Sequence, residues 1–305
     1  MRASLERRKS APCVLVTGAS GFAGSVIARR LAEGGRRVVA LYRRETAFLA
    51  RLAGVAGVYT LRADLADGLD LPGPFEAVVH AAATSPAPAV DAVRIARDNV
   101  TATASLIGAA ERWGTRAFVL LSSLSVYGEI RTKVVDEATP IVNPDAYGMS
   151  KYLCELMLAA RSERLPAIAL RLPGVLGPGA HRNWMSRTAA ALQAGLTVGA
   201  FHLDRPYNNA VHVDDLAAFV ASILDRRWTG FDAVVLGAGD AIPLRTAIER
   251  LAAGLGVHAV LEEVSAPLPS FTLSSERAIS RWGYRPSAIA PLLDRYARDL
   301  KASGA

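Results

Sequence analysis

Short apolar runs alternate with helical patterns through the first half of the chain. The run from Val14 to Val16 stops at Thr17, and glycines follow at positions 18, 21 and 24. Phe22, Val26, Ile27 and Leu31 then recur at the spacing of one helix face. Gly34-Gly35 ends that helix. The pattern predicts further strands at 38–42, 58–61, 76–81, 117–122 and 167–172, with helices at 45–52, 87–112 and 144–163 between them. Asn143 stands as cap and Pro144 as first residue of the last of these helices. Apolar strands uninterrupted by polar positions are buried on both faces, so the prediction is a parallel sheet covered by helices on each side. Ligands of such sheets sit beyond the carboxyl ends of the strands.

Beyond Pro173 the periodicity loosens. Gly174, Gly177, Pro178 and Gly179 punctuate a loop, a helix is expected at 184–194, and Val211 to Val213 leads into another at 214–224. One more strand of the main sheet is expected at 231–236, with helices at 244–254, 274–282 and 288–301. The fold class is therefore α/β, a Rossmann-type doubly wound parallel sheet with a smaller C-terminal substrate-binding lobe. Residues 1–10 read as a basic tail, 11–173 with 207–240 returning to it as the domain built on the main sheet, and 174–206 with 241–305 as the lobe. No internal repeat or low-complexity tract interrupts this scheme.

Composition changes the picture in few places. At 305 residues and 51% hydrophobic content the chain can bury a real core. The formal charge of +7 is spread along it, and of 35 basic residues only Lys9, Lys133, Lys151 and Lys301 are lysines. No basic stripe interleaved with aromatics is present, so the reading is a solvated arginine surface and no nucleic-acid partner. Two cysteines, Cys13 and Cys154, fall in a predicted strand and a predicted helix, which argues for a reducing, cytoplasmic setting rather than a disulfide framework. Arg7, Arg8 and Lys9 precede an uncharged run, 10–28, but its apolar stretch is short and interrupted by glycines. It reads as a tail before a first strand, with neither a secretory leader nor a membrane span expected.

The candidate chemistry begins at the glycine turn. A residue without Cβ takes positive φ freely and lets an anion approach the main chain, while the following helix presents free N–H groups. A pyrophosphate suits such a turn. About twenty positions on, an acidic residue would bind a ribose 2′-hydroxyl. Tyr42-Arg43-Arg44 stands there instead, so a 2′-phosphate is the better electrostatic match, and NADP(H) is favoured over NAD(H). Tyr147 and Lys151 lie four apart on a predicted helix and share one face. An ammonium beside a phenol stabilises the phenolate and makes tyrosine a usable acid or base. The fifth strand ends in Ser122 and Ser123, with Ser125 just beyond.

Thr17-Gly18-Ala19-Ser20-Gly21-Phe22-Ala23-Gly24, Asp64-Leu65, His80-Ala81-Ala82-Ala83, Asn99, Ser122 to Gly128, Tyr147 to Lys151, Arg171-Leu172-Pro173-Gly174 and Val211 to Asp215 together resemble the extended short-chain dehydrogenase/reductase superfamily, in its NAD(P)-dependent epimerase/dehydratase branch. The likeness runs from about residue 13 to 240, and Trp282-Gly283-Tyr284-Arg285-Pro286 is similar to the family's closing segment. The resemblance implies Tyr147 as general acid/base, Lys151 as its electrostatic partner, Ser123 as the group holding the reacting oxygen, and Asn99 as support for the lysine and its helix. It further implies cofactor contacts at Gly18, Ser20, Gly21, Phe22, Ala23, Arg43, Arg44, Asp64, Leu65, Ala81, Ala82, Ala83, Asn99, Tyr147, Lys151, Pro173 and Val175. Substrate contacts are expected at Ser85, Ser123, Ser125, Gly174, Arg205 and Asn208. Family members often pair through their two long helices, which gives a homodimer as the expected assembly.

Three departures narrow the reaction. Leu124-Ser125 replaces the Asp-Glu of sugar-nucleotide 4,6-dehydratases, so a dehydratase is disfavoured. Gly174 replaces an asparagine that many UDP-sugar epimerases carry, and Asn208 stands where those enzymes place a pyrophosphate-binding arginine, with Arg205 nearby as a substitute. The expected activity is hydride transfer to or from a carbonyl or hydroxyl carbon of a keto or hydroxy substrate, favouring a nucleotide-linked sugar. Reduction of a non-sugar ketone is the alternative, followed by a cofactor-binding sensor without turnover. His181, Trp184, His202, Tyr207 and His212 are read as structural, with no metal site among them, and Asp214-Asp215 as a helix cap.

Overall fold

The computed structural model describes residues 13–67, 71 and 73–302. The predicted basic tail at 1–10 lies outside the described residues. Seven strands form the central parallel sheet, in the order Phe231–Val235, Ala167–Leu172, Ala117–Ser123, Ala77–His80, Cys13–Thr17, Arg37–Tyr42 and Val58–Arg62. The first strand is therefore flanked by the second and the fourth, with Val14 opposite Val38 on one side and Ala77 on the other. That reversal of strand order is the switch point at which sheets of this kind bind ligands. Val14, Leu15, Val16, Val78, Val79, Phe118 and Val119 are wholly buried, as expected for strands covered on both faces.

The chain divides into two compact units. One comprises the residues up to Leu121, Ser150–Ala169 and Val220–Asp232; the other comprises Ser122–Met149, Leu170–Phe219 and Ala233–Ala305. The second unit has its own core, in which Leu192, Ile248, Leu251, Leu292, Leu293 and Tyr296 pack together from the helices Trp184–Gln193, Leu244–Leu255 and Ile289–Ala302. Tyr207 and Trp184 pack against that core.

Several helix ends differ from the sequence expectation, each for a local reason. The helix expected at 87–112 starts at Ala92, where the Asp91 side chain caps it, and it carries a π turn at Arg97–Thr101 before continuing as Ala102–Trp113. The helix expected at 144–163 is Ala146–Ala159. Its cap is Asp145, whose carboxylate accepts from Gly148 N–H at 2.7 Å. Asn143 instead takes a left-handed φ of 47° and donates to Glu129. Asp214 and Asp215 lie in the first turn of Val213–Leu224 and both pair with Arg295.

Candidate active site

The glycine turn joins the strand Cys13–Thr17 to the helix Phe22–Glu33. Gly18 has φ of 67°, and a Cβ there would lie 2.5 Å from Ala82 N, so only glycine lets the turn rest on the Ala81-Ala82 backbone. Thr17 ties down the same segment, its carbonyl accepting from Ala81 N–H and its hydroxyl from Ala82 N–H, each at 3.3 Å. Gly21 is the N-cap of the helix and no side chain caps that end. The N–H groups of the first turn thus remain for an external anion, and the turn fits the pyrophosphate of a dinucleotide.

Behind the turn lies a buried polar chain, of which the sequence analysis gave a role only to Asn99. Thr17 Oγ1 is 2.7 Å from His80 Nδ1, His80 Nε2 is 2.9 Å from Thr103 Oγ1, and Thr103 Oγ1 donates to Asn99 O at 2.7 Å. With its proton given to Asn99, the Thr103 hydroxyl can only accept from the ring. His80 therefore carries its proton on Nε2, and Nδ1 accepts from Thr17. Burial, reinforced by the nearby Lys151 charge, pushes His80 down to about 3. The imidazole is neutral at any working pH.

Asn99 sits in the π turn, and its carboxamide is fully engaged. Oδ1 accepts from Thr84 N–H at 2.7 Å, while Nδ2 donates to Thr84 O at 3.1 Å and to Ser150 Oγ at 2.9 Å. It thereby ties the residue before Lys151 to the loop after the fourth strand. A π turn adds one residue per turn and re-aims the side chains around it, a device common at functional sites. Lys151 is only 2% exposed. Loss of hydration holds its ammonium below the usual lysine range, against the opposing pull of Cys154 and Glu155.

In the second unit, Ser122 is buried and Ser123 is half-buried. Ser123 Oγ accepts from Ser125 N–H and donates to Ser125 Oγ, both at 3.1 Å. Alternation along the strand turns one serine into the core and leaves the other at its open end. Tyr147 is half-buried and lies one helical turn ahead of Lys151. Gly148 decides how the two segments of this unit meet: a Cβ there would overlap the Ser125 carbonyl. Only glycine allows the Tyr147 segment to lie directly on the serine turn, and the sequence analysis did not single it out. Replacing it, Gly148→Ala, is expected to lower turnover at least tenfold by lifting the tyrosine from the serines. Steady-state rates beside a far-ultraviolet spectrum check this, and wild-type turnover would refute it.

Other expected site residues are placed as follows. Leu65 is buried, and Asp64 uses one carboxylate oxygen to accept from Ala66 N–H at 3.0 Å. Ser85, Pro173, Gly174 and Val175 are half-buried, and Arg44 and Arg205 are exposed. Arg43 is not a free guanidinium: it donates to Asp98 at 3.1 Å and lies 3.6 Å from Asp64. Asn208 departs from the expected substrate contact. Its Nδ2 donates to Leu273 O and Ala238 O, its Oδ1 accepts from Leu273 N–H, and it is 5% exposed, which makes it a clamp within the second unit. Three of the histidines bond within the chain: His212 pairs with Asp299 at 2.8 Å, His202 bonds Leu268 O and His181 bonds Gly179 O. Among the described residues no group of three or more His, Cys, Asp or Glu is placed to hold a metal ion, and no helix is long and apolar enough to cross a membrane.

Comparison with known proteins places this arrangement. The UDP-glucose 4-epimerase of Streptomyces lividans is 30% identical over 177 residues, 55% of this chain and 53% of its own length. A decarboxylating sterol-4-alpha-carboxylate 3-dehydrogenase of Schizosaccharomyces pombe is 38% identical over 183 residues, 54% of this chain and 51% of its own length. The chain thus spans about half the length of these two relatives. It matches 2-alkyl-3-oxoalkanoate reductase of Stenotrophomonas maltophilia more widely, at 29% identity over 275 residues, 83% of this chain and 78% of the reductase. Among solved structures, MoeE5 in complex with UDP-glucuronic acid and NAD superposes with a TM-score of 0.81 at 26% identity, covering 96% of this chain and all of that one. With the model of the NAD dependent epimerase/dehydratase family matching residues 14–237, on a turn and sheet built to receive a dinucleotide, the chain belongs to that family.

Proposed function

We propose that this chain is an NADP(H)-dependent oxidoreductase or epimerase acting on a carbonyl or hydroxyl carbon, with Tyr147 as general acid/base and a nucleotide-linked sugar as the favoured substrate. The observation that carries the reading is the pairing, one turn apart on a single helix, of Tyr147 with a lysine that is buried and short of hydration. A bound nicotinamide would supply hydride donation and acceptance. The chain's own part is to hold the oxygen and move the proton. Lys151 favours the anionic form of the neighbouring phenol, because a positive charge with little water around it is weakly screened. Tyr147 then takes the proton from a hydroxyl as it becomes a ketone, or returns it. Ser123, half-buried, is the donor to the reacting oxygen, its hydroxyl proton turning there from Ser125 Oγ when substrate binds. Retention of both Tyr147 and Lys151 argues against a sensor without turnover.

The nucleotide-sugar reading is supported by relatives named as UDP-glucose 4-epimerases and dTDP-4-dehydro-6-deoxy-D-allose reductases. A second reading, reduction of a non-sugar ketone, rests on Asn208. That residue is committed to backbone where a diphosphate would need a cation, and the match to the alkanoate reductase is the widest of the three relatives compared above. A panel of UDP- and dTDP-sugars and simple 3-oxoacids, followed at 340 nm with NADPH, separates the two. An epimerase interconverts sugars without net absorbance change, and a reductase consumes NADPH. No conversion of any carbonyl or sugar substrate by wild-type chain that binds the cofactor would sink the catalytic reading. For the assembly we propose a homodimer through the Tyr147 helix, whose Met149, Leu153 and Leu156 form an exposed apolar stripe.

A further inference from the structure

One cavity in the first unit brings several arginines together with aspartates. The cavity is lined by the end of the second strand, the turn at Asp64, and the helix and π turn from Asp91 to Asp98. Four arginines and three aspartates line it: Arg43, Arg44, Arg94 and Arg97, with Asp64, Asp91 and Asp98. They are not equivalent. Asp98, itself held by the Thr84 hydroxyl at 2.7 Å, takes Arg43 at 3.1 Å and draws Arg94 to 3.8 Å. Asp64 adds a second negative charge 3.6 Å from Arg43, and Asp91 caps the helix by accepting from Arg94 N–H. Two of the four cations are thus matched by carboxylates. Among the described residues, Arg44 and Arg97 make no ion pair with a carboxylate; both are exposed and line the cavity.

We infer that Arg97, which the sequence analysis passed over, is a specificity-determining residue that grips the adenosine 2′-phosphate together with Arg44, and that Arg43 serves as a structural counter-ion to Asp98. The inference rests on the NADP(H) reading and sharpens it. Arg44 comes from a strand end and Arg97 from the facing π turn, so a phosphate entering the cavity meets positive charge from two elements. The main chain at Arg97 is well anchored, because the same turn carries Asn99 with its paired hydrogen bonds to Thr84. A phosphate offers oxygens enough for both guanidiniums, and charge-assisted bonds to it are among the strongest available to side chains.

The test uses adenosine 2′,5′-bisphosphate and 5′-AMP, two probes that differ only in the 2′-phosphate, titrated calorimetrically into the full chain. Wild type is expected to prefer the bisphosphate. Arg97→Ala is expected to lose about tenfold of that affinity, with 5′-AMP binding unchanged and Arg97→Lys recovering part of the loss. An Arg97→Ala chain that keeps the wild-type preference overturns the inference and leaves the NADP(H) reading standing. Equal weakening of both probes also overturns it, since that reports general charge and not phosphate recognition. Wild type binding both probes equally sinks the NADP(H) reading itself, and the inference with it.

Discussion

Replacing Tyr147 by phenylalanine should lower turnover by on the order of a thousandfold while leaving the dissociation constant for the cofactor nearly unchanged. The substitution removes one oxygen and keeps the ring, so the half-buried side chain still packs where it does now. What is lost is the phenol hydroxyl, the group proposed to give up and recover the proton. The measurement is turnover on whichever substrate the panel identifies, with cofactor binding followed separately by fluorescence. Turnover within a few fold of wild type would remove Tyr147 from the acid/base role. Weakened cofactor binding with normal turnover at saturation would make it a binding residue only.

Lys151→Met should separate activity from stability. Turnover should fall by roughly a hundredfold or more, because the phenolate loses the charge that favours it. Stability should not fall with it. Lys151 is 2% exposed and its pKa is depressed by burial, so the folded state binds a proton there less readily than the unfolded chain does. Below the depressed value both states carry the proton and the folded state bears the full cost of the buried charge. As pH rises from that value toward the ordinary lysine range, the unfolded chain holds more protons, and stability rises with pH. A methionine of similar length fills the same space without the charge. The variant should therefore melt at least as high as wild type at neutral pH and lack this component of the alkaline rise. A variant that melts several degrees lower would mean that the ammonium holds the fold together through its partners. Wild type and variant sharing one pH slope would mean that Lys151 is not the group responsible.

The parts of the site that could be read from the chain are those contained in one element or one turn. The glycine turn after Val16, the Tyr147 and Lys151 spacing and the serines ending the fifth strand needed only the periods of helix and strand, and all fall on the elements expected. Helix starts were less legible. Asn143 and Asp145 are both good caps by type, and the choice fell to Asp145 because the backbone at Asn143 is bent into a left-handed turn that a helix entry does not use. Nothing in a helical period announces a π turn at Arg97–Thr101 either, since it alters the register by a single residue.

The sequence by itself determined the family: a glycine turn between strand and helix, a sheet buried on both faces and a tyrosine one helical turn from a lysine. These follow from residue type and local spacing, which act within a few positions of the chain. Only the tertiary structure decided which polar groups remain free to act. Arg43 and Asp98 are 55 positions apart, Asn208 and Leu273 are 65 apart, and Thr17 and His80 are 63 apart. An arginine next to the cofactor turn looks available until a carboxylate from another element lies against it. Charge and hydrogen-bonding capacity belong to the residue, but whether they are already matched is set by the neighbours that folding brings within about 3 Å.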